Sequence, residues 1–261
     1  LGNVYRSNVP IKLSFIKNNK IVNEKWMSIK NNDTVLSFDS NKYDFIELNK
    51  NKFITENNYK NNLASFKKYK KPLKFILFND FENVYNNQVY YMPLFNYNLY
   101  DGFMPGVSLS NITPIKKRFT YKINPFYSTN QKKILGLINL NYTKYHENKK
   151  LFSTQYFIGG STFHYKENSS YTTLFPSILF TFRNPDLRSN YREFISVRYV
   201  SVYKEDNQNI EKYPNYNILN LKYILTNSNA GKGFNMSADL QINKSFIKNS
   251  FTLNYRKYYR D

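Results

Sequence analysis

From about residue 116 onward the chain alternates apolar and polar residues in one long run after another. Met236, Ala238, Leu240 and Ile242 alternate with Asn235, Ser237, Asp239, Gln241 and Asn243, and Leu219, Leu221, Tyr223 and Leu225 with Asn220, Lys222 and Ile224. Ile138, Leu140 and Tyr142, then Ile195, Val197 and Tyr199, then Phe251, Leu253 and Tyr255 repeat the pattern. Successive side chains of a strand point to opposite faces, so each run is a strand with one apolar and one polar side. Turn-forming clusters separate the runs at Glu147–Lys150, Lys166–Ser170, Asn184–Asn190, Asp206–Pro214 and Asn227–Gly233. The reading is ten strands near 88–98, 102–111, 117–127, 133–146, 151–165, 171–183, 191–204, 215–226, 233–245 and 249–258.

These runs are long. Strands of soluble proteins average about 5–6 residues, whereas a tilted membrane-crossing strand needs about 9–11. A soluble antiparallel sheet also alternates, but three features favour lipid. The strands follow one another directly, as an up-and-down meander requires. The polar side carries Arg198, Lys222, Asp239 and Arg256, which need water or one another. Tyrosines cluster at strand ends (Tyr127, Tyr145, Tyr165, Tyr171, Tyr203, Tyr216, Tyr258 and Tyr259), where an amphipathic ring suits the headgroup layer. Backbone groups in hydrocarbon must pair within the protein, so such a sheet is expected to close into a barrel of about ten or more strands. The chain stops at Asp261 directly after a strong strand, so further strands are expected beyond it or from elsewhere.

The first sixty residues differ. Ile11, Leu13 and Phe15, then Val35–Phe38, then Tyr43–Leu48, form short strands with polar turns between them, the pattern of a small soluble β-sandwich. The expected fold is therefore all-β: a small N-terminal β-sandwich over 1–56, a Lys/Asn-rich connector over 57–87, and an antiparallel up-and-down membrane β-barrel over 88–261.

Composition narrows the chemistry. With no cysteine there is no disulfide framework, thiolate metal site or cysteine nucleophile. Only His146 and His164 are available for imidazole chemistry. The aromatic share of 18% excludes a disordered tail. The formal charge of +20 reflects in part the Lys/Asn-rich, Arg- and Gly-poor usage of an AT-rich genome. No run reaches the roughly 18–20 apolar residues of a membrane-spanning helix. The chain does not begin with Met, and Leu1–Pro10 is not built like a signal peptide, so a segment of a longer protein is expected.

The stretch Tyr97–Asn111, which contains Tyr100-Asp101-Gly102-Phe103-Met104-Pro105-Gly106, follows Tyr91-Met92-Pro93-Leu94-Phe95 and precedes Phe119-Thr120-Tyr121 and Pro125-Phe126-Tyr127-Ser128. It resembles the region that opens the C-terminal β-barrel of Bacteroidota zinc metallopeptidases of the membrane alanyl aminopeptidase-like (gluzincin) family. Pro105 departs from the bulky residue usual there. Val9-Pro10-Ile11-Lys12, Glu24-Lys25-Trp26 and Tyr43–Leu48 resemble the small sandwich behind the peptidase domain, and Glu56-Asn57 with Asn61-Asn62 resembles its linker, with Tyr59 and Lys60 in place of arginines. The family's zinc motif, H-E-x-x-H on a helix, is not here: His146-Glu147 is followed by Asn148-Lys149-Lys150, and His164 stands in an alternating strand. The resemblance implies the region downstream of catalysis, with zinc expected only in an upstream peptidase domain and no cofactor in this segment.

Tyr100, Asp101, Gly102, Phe103, Met104 and Gly106 form the barrel-opening motif, with Asp101-Gly102 read first as a turn. Gly159-Gly160 reads as a bend, and Gly231-Lys232-Gly233 as a loop without P-loop context. Arg198, Lys222, Asp239 and Arg256 are expected to form a lumenal polar network. Lys67–Lys71, Lys116–Arg118 and Lys149-Lys150 read as solvated loops or contacts to anionic headgroups, with no nucleic-acid-binding signature. The expectation is a non-catalytic outer-membrane barrel that anchors a metallopeptidase-like protein, its partners the lipid bilayer and an upstream peptidase domain in cis. A stand-alone channel or surface-antigen-type barrel, and a soluble basic β-protein that binds polyanions, are the alternatives.

Overall fold

The computed structural model describes residues 10–28, 38–39, 41–56, 58–66, 69–147, 150–186, 188–205, 215–229 and 231–258. The chain divides into a unit of residues 1–90 with 113–117 and a second of residues 91–112 with 118–261. The expected strand at Val35–Phe38 and the turn at Asp206–Pro214 fall mostly or wholly outside the described residues.

In the first unit, β1 (Pro10–Lys17), β2 (Lys20–Ser28), β3 (Phe45–Leu48) and β4 (Leu63–Ser65) form an antiparallel sheet in the order β2-β1-β3-β4. Asn18 and Asn19, at φ 48° and 61°, turn β1 into β2; asparagine is among the few residues that enter this left-handed region readily. Leu13, Phe15 and Ile46 are buried together, with Met27, Phe38, Tyr43, Leu48 and Phe66 packed against them. Among the described residues the expected sandwich is thus corrected to one four-strand sheet. Tyr43–Leu48 does not cross to a second layer: Phe45–Leu48 pairs edge to edge with β1, Leu13 opposite Leu48 and Phe15 opposite Ile46.

The connector is more structured than its composition implied. Buried Asn49 donates through Nδ2 to the Ile54 carbonyl (2.6 Å) and to Glu56 Oε1 (2.5 Å), and Asn62 Nδ2 reaches the same Glu56 oxygen (3.0 Å). This staple, followed by a 3-10 turn at Lys60–Asn62, delivers β4 to the edge of β3. In the same unit the Tyr85 hydroxyl donates to buried Glu47, with Lys50 Nζ 3.7 Å from that carboxylate. Burial, and then the Glu47 carboxylate, push the Tyr85 phenol well above its ordinary pKa. Glu82 takes Lys60 and Lys117 at 3.2 Å each; burial still pulls Lys117 below the usual lysine range, with Glu82 opposing.

The large sheet has eleven strands in sequence order. They are β5 (Leu73–Leu77), β6 (Asn87–Asn98), β7 (Gly102–Ser110), β8 (Phe119–Tyr127), β9 (Ile134–Tyr145), β10 (Leu151–Lys166), β11 (Ser169–Arg183), β12 (Tyr191–Lys204), β13 (Tyr216–Ser228), β14 (Lys232–Ile242) and β15 (Ile247–Lys257). The ten strands read from alternation are all present within a few residues of the expected bounds, and β5 is additional. Every neighbouring pair from β7 to β15 is antiparallel. The sheet is not closed into a barrel, which corrects the expected closure. Short β5 lies on the outer edge of β6, no described strand lies beyond β15, and β15 is exposed along its whole length.

Register settles the two faces, because paired residues share a face. Ile138, Leu140 and Tyr142 lie opposite Gly160, Ile158 and Tyr156, which in turn face Leu174, Pro176 and Ile178. The apolar row continues through Val197 and Ile195, Leu221 and Tyr223, Leu240 and Ala238, to Phe251 and Leu253. The opposite face runs through Asn139, Asn141, Gln155, Ser177, Arg198, Asn220, Lys222, Asp239 and Ser250.

Candidate functional site

The sheet is inside out by the standard of a water-soluble protein. Tyr156, Ile158 and Leu174, in the middle of the apolar face, are 45–48% exposed, and Ile195, Tyr199 and Leu221 are 36–43% exposed. On the opposite face the small polar residues Ser108, Ser110, Thr143, Ser153 and Asn220 are buried. Large uncovered apolar areas mark a surface made for something other than water.

Of the four residues expected to form a polar network, two are in contact and a third stands on the neighbouring strand. Lys222 pairs in register with Asp239 and lies 3.8 Å from it, and Asn220 Nδ2 donates to Asp239 Oδ1 at 2.7 Å. Arg198 sits opposite Asn220 on β12. Arg256 shares their face but does not join them. It lies six residues, about 20 Å, along β15 from the partner of Asp239, and its guanidinium is 5.2 Å from the Tyr258 ring. Asn220, which links the others, was not singled out from sequence, where it is one asparagine among many.

The motif at 100–106 alternates across the sheet. Phe103 stacks on Phe95, centroids 5.8 Å apart and half exposed, whereas Met104 is fully buried with Phe126 and Leu135, flanked by Leu94, Leu137 and Phe163. Gly102 has φ +70°, and a Cβ there would stand 2.5 Å from Asn130 Oδ1. Gly106 lies opposite Phe126, whose ring occupies the space a side chain would need. Both glycines answer to close neighbours.

Asp101 is wholly buried and does more than turn the chain. Asn98 Oδ1 accepts the N–H groups of Tyr100 (2.7 Å) and Asp101 (3.1 Å), which sets the turn. Asp101 Oδ2 accepts the His164 N–H at 3.1 Å and Asn98 Nδ2 at 2.8 Å, and its Oδ1 is 2.5 Å from His164 Nδ1. Asn98 Nδ2 also reaches the His164 carbonyl at 3.3 Å. The ladder between β9 and β10 ends at Gly136 with Thr162, so Asn98 and Asp101 satisfy the β10 backbone where β9 leaves it. The Asp101 carbonyl in turn accepts Ser128 Oγ (2.9 Å) and the Asn130 N–H (3.1 Å), and Gln131 Nε2 donates to the Tyr100 carbonyl (3.2 Å). Strand β7 is three steps from β10, about 14 Å on a flat sheet. The contact therefore requires the 99–101 turn to fold over the β8–β9 hairpin, or the sheet to curl.

A paired imidazole and carboxylate is the geometry that orients a general base, but a base must be reachable by the proton it takes. His164 Nε2 is buried, and neither it nor the buried Ser169 Oγ has a protein hydrogen-bond partner among the described residues. As built, the pair is a latch between a turn and a strand. His146 is elsewhere, 3.0 Å from Thr154 Oγ1 and ten residues along β10 from His164. Among the described residues no three His, Asp or Glu side chains converge as metal ligands, and no helix is long and apolar enough to cross a membrane. No family model, curated protein or solved structure matches the chain.

Proposed function

We propose that this chain is the non-catalytic outer-membrane segment of a metallopeptidase-like protein, with the large sheet as its lipid-embedded anchor. The single observation that carries the reading is the exposed apolar face set against the buried polar one. In lipid the apolar row meets acyl chains, each Å² leaving water at about 25 cal/mol, and the polar row with Asp239, Lys222 and Arg198 lines the inside. The dimensions suit this. Tyr191 and Tyr203 are twelve residues apart on β12, about 40 Å of extended chain and roughly 30 Å along the normal at a tilt of ~40°.

In hydrocarbon the free edges need partners. The membrane form is read as a closed barrel in which a strand lies against the outer edge of β15. The apolar cluster around Met104, Phe126 and Leu135 fills the polar side at one end, which favours an anchor over a pore. The peptidase parentage is supported by the sequence resemblance, which is strongest over residues 88–128.

The test is to fold the purified chain in phospholipid vesicles and in buffer, and to compare its mobility on unheated and heated denaturing gels and its protease resistance. Folding only with lipid, with a heat-dependent mobility shift and silence in planar bilayers, is expected. A monomer that folds fully in buffer and stays in the aqueous phase would refute the reading.

A further inference from the structure

Resting on that membrane reading, we propose that Arg183 and Arg192 form a clamp for a phosphate group at the end of the sheet that carries the β9–β10 and β11–β12 turns. The two are register partners on β11 and β12. Like charges directly opposite each other in a ladder repel, and a guanidinium cannot escape by losing its proton.

Both are held in place without neutralisation. The Arg183 guanidinium lies 4.6 Å from the centre of the Phe152 ring, and Arg192 Nη1 donates to the carbonyls of Ser189 (2.6 Å) and Tyr191 (2.7 Å). That leaves three donors on Arg192 and the full fork on Arg183. Among the described residues neither arginine pairs with a carboxylate. Of the acids at this end, Glu193 is engaged by Lys150 Nζ (3.6 Å) and the Tyr223 hydroxyl (3.1 Å), Asp186 accepts the Arg188 N–H (2.9 Å), and Glu147 stands in the β9–β10 turn. Lys150 offsets the charge of Glu193, and its carbonyl accepts the Arg183 N–H at 2.9 Å.

Two planar forks carried by register partners, at the rim of the face that holds Ser177 and Arg198, match the oxygens of a phosphate, which each can grip bidentately. Tyr191 and Phe234, ring centroids 5.8 Å apart, lie at the same end of the strands on the apolar row. Such rings sit at headgroup depth. The ligand chemistry is a phosphomonoester or phosphodiester, supplied by a lipid headgroup or by free phosphate.

The experiment folds wild type, Arg183→Gln, Arg183→Gln/Arg192→Gln and the control Lys132→Gln/Lys133→Gln in maltoside micelles. Each is titrated with short-chain phosphatidic acid, with the matching diacylglycerol, and with inorganic phosphate, following the shift of the unfolding midpoint. Phosphatidic acid binding about thirtyfold weaker in the double variant is expected, from the usual attraction per cation near an anionic surface. The single variant should fall between, and control and wild type should agree. Diacylglycerol should be inert. Inorganic phosphate competing with the lipid makes phosphate itself the ligand; phosphate failing where phosphatidic acid binds assigns the site to a headgroup. Equal binding by the double variant, or an equal loss in the control, overturns the clamp. A chain that folds in buffer and ignores micelles refutes the membrane reading, and the phosphate titration repeated in buffer then decides the clamp separately.

Discussion

Leu221 and Lys222 stand side by side at the middle of β13 and test which face meets lipid. Leu221 is 36% exposed on the apolar row; Lys222 is on the other face, 3.8 Å from Asp239. A lysine or arginine on the lipid face at the bilayer midplane costs about 2–4 kcal/mol. In water, a charge placed on a partly exposed surface residue changes stability by no more than about 0.5 kcal/mol. Leu221→Arg should therefore lose about 2–4 kcal/mol when folded in vesicles, whereas Lys222→Arg, which keeps a cation facing Asp239, should lose under about 0.5 kcal/mol. Urea titration of vesicle-folded protein, read by the loss of the compact gel band, measures both. If Leu221→Arg refolds in vesicles with the wild-type midpoint, the apolar row does not face acyl chains.

Asp101→Ala leaves the His164 N–H, its ring nitrogen and the Asn98 amide without their acceptor, and should cost about 2–5 kcal/mol by the same titration; a loss under about 0.5 kcal/mol would show that the latch contributes nothing. Tyr85 has a folded pKa raised above its unfolded value of about 10, so its contribution is complete below pH ~10 and is lost as pH rises beyond it. Phenolate absorbance should lose one of its late-titrating tyrosines in Tyr85→Phe, and an unchanged titration curve would contradict the Glu47 bond. Gly136 has φ +146°, and a Cβ there would collide with the Asn124 carbonyl; Gly136→Ala should cost about 1–3 kcal/mol, and a wild-type unfolding midpoint would show that the β8–β9 ladder gives way freely.

The strands were legible because alternation is local: each residue of β9 to β15 meets one of two environments, and the period records which. Strand β5 was not, since Lys70-Lys71-Pro72 reads as a break and Leu73–Leu77 is too short to show a period. The turn at Asp101-Gly102 was legible from those two residues, but Asn98, which sets it, was not singled out, and its partner His164 lies 63 residues away in a strand whose pattern carries no mark of it. Alternation also does not say which environment is wet. Arg198, Lys222 and Asp239 on one face argued for water or mutual pairing there, and the Lys222–Asp239 and Asn220–Asp239 contacts are mutual pairing. Closure lies further from the sequence still, because it depends on backbone groups rather than side chains. Any residue on β15 presents the same N–H and C=O to its outer edge, so nothing in Ile247–Lys257 encodes whether a strand lies beyond it. The medium decides that. In water those edge groups are solvated and an open sheet persists at little cost, whereas in hydrocarbon each unpaired group costs several kcal/mol. The same eleven-strand meander is thus compatible with an open edge in one solvent and requires a paired one in the other.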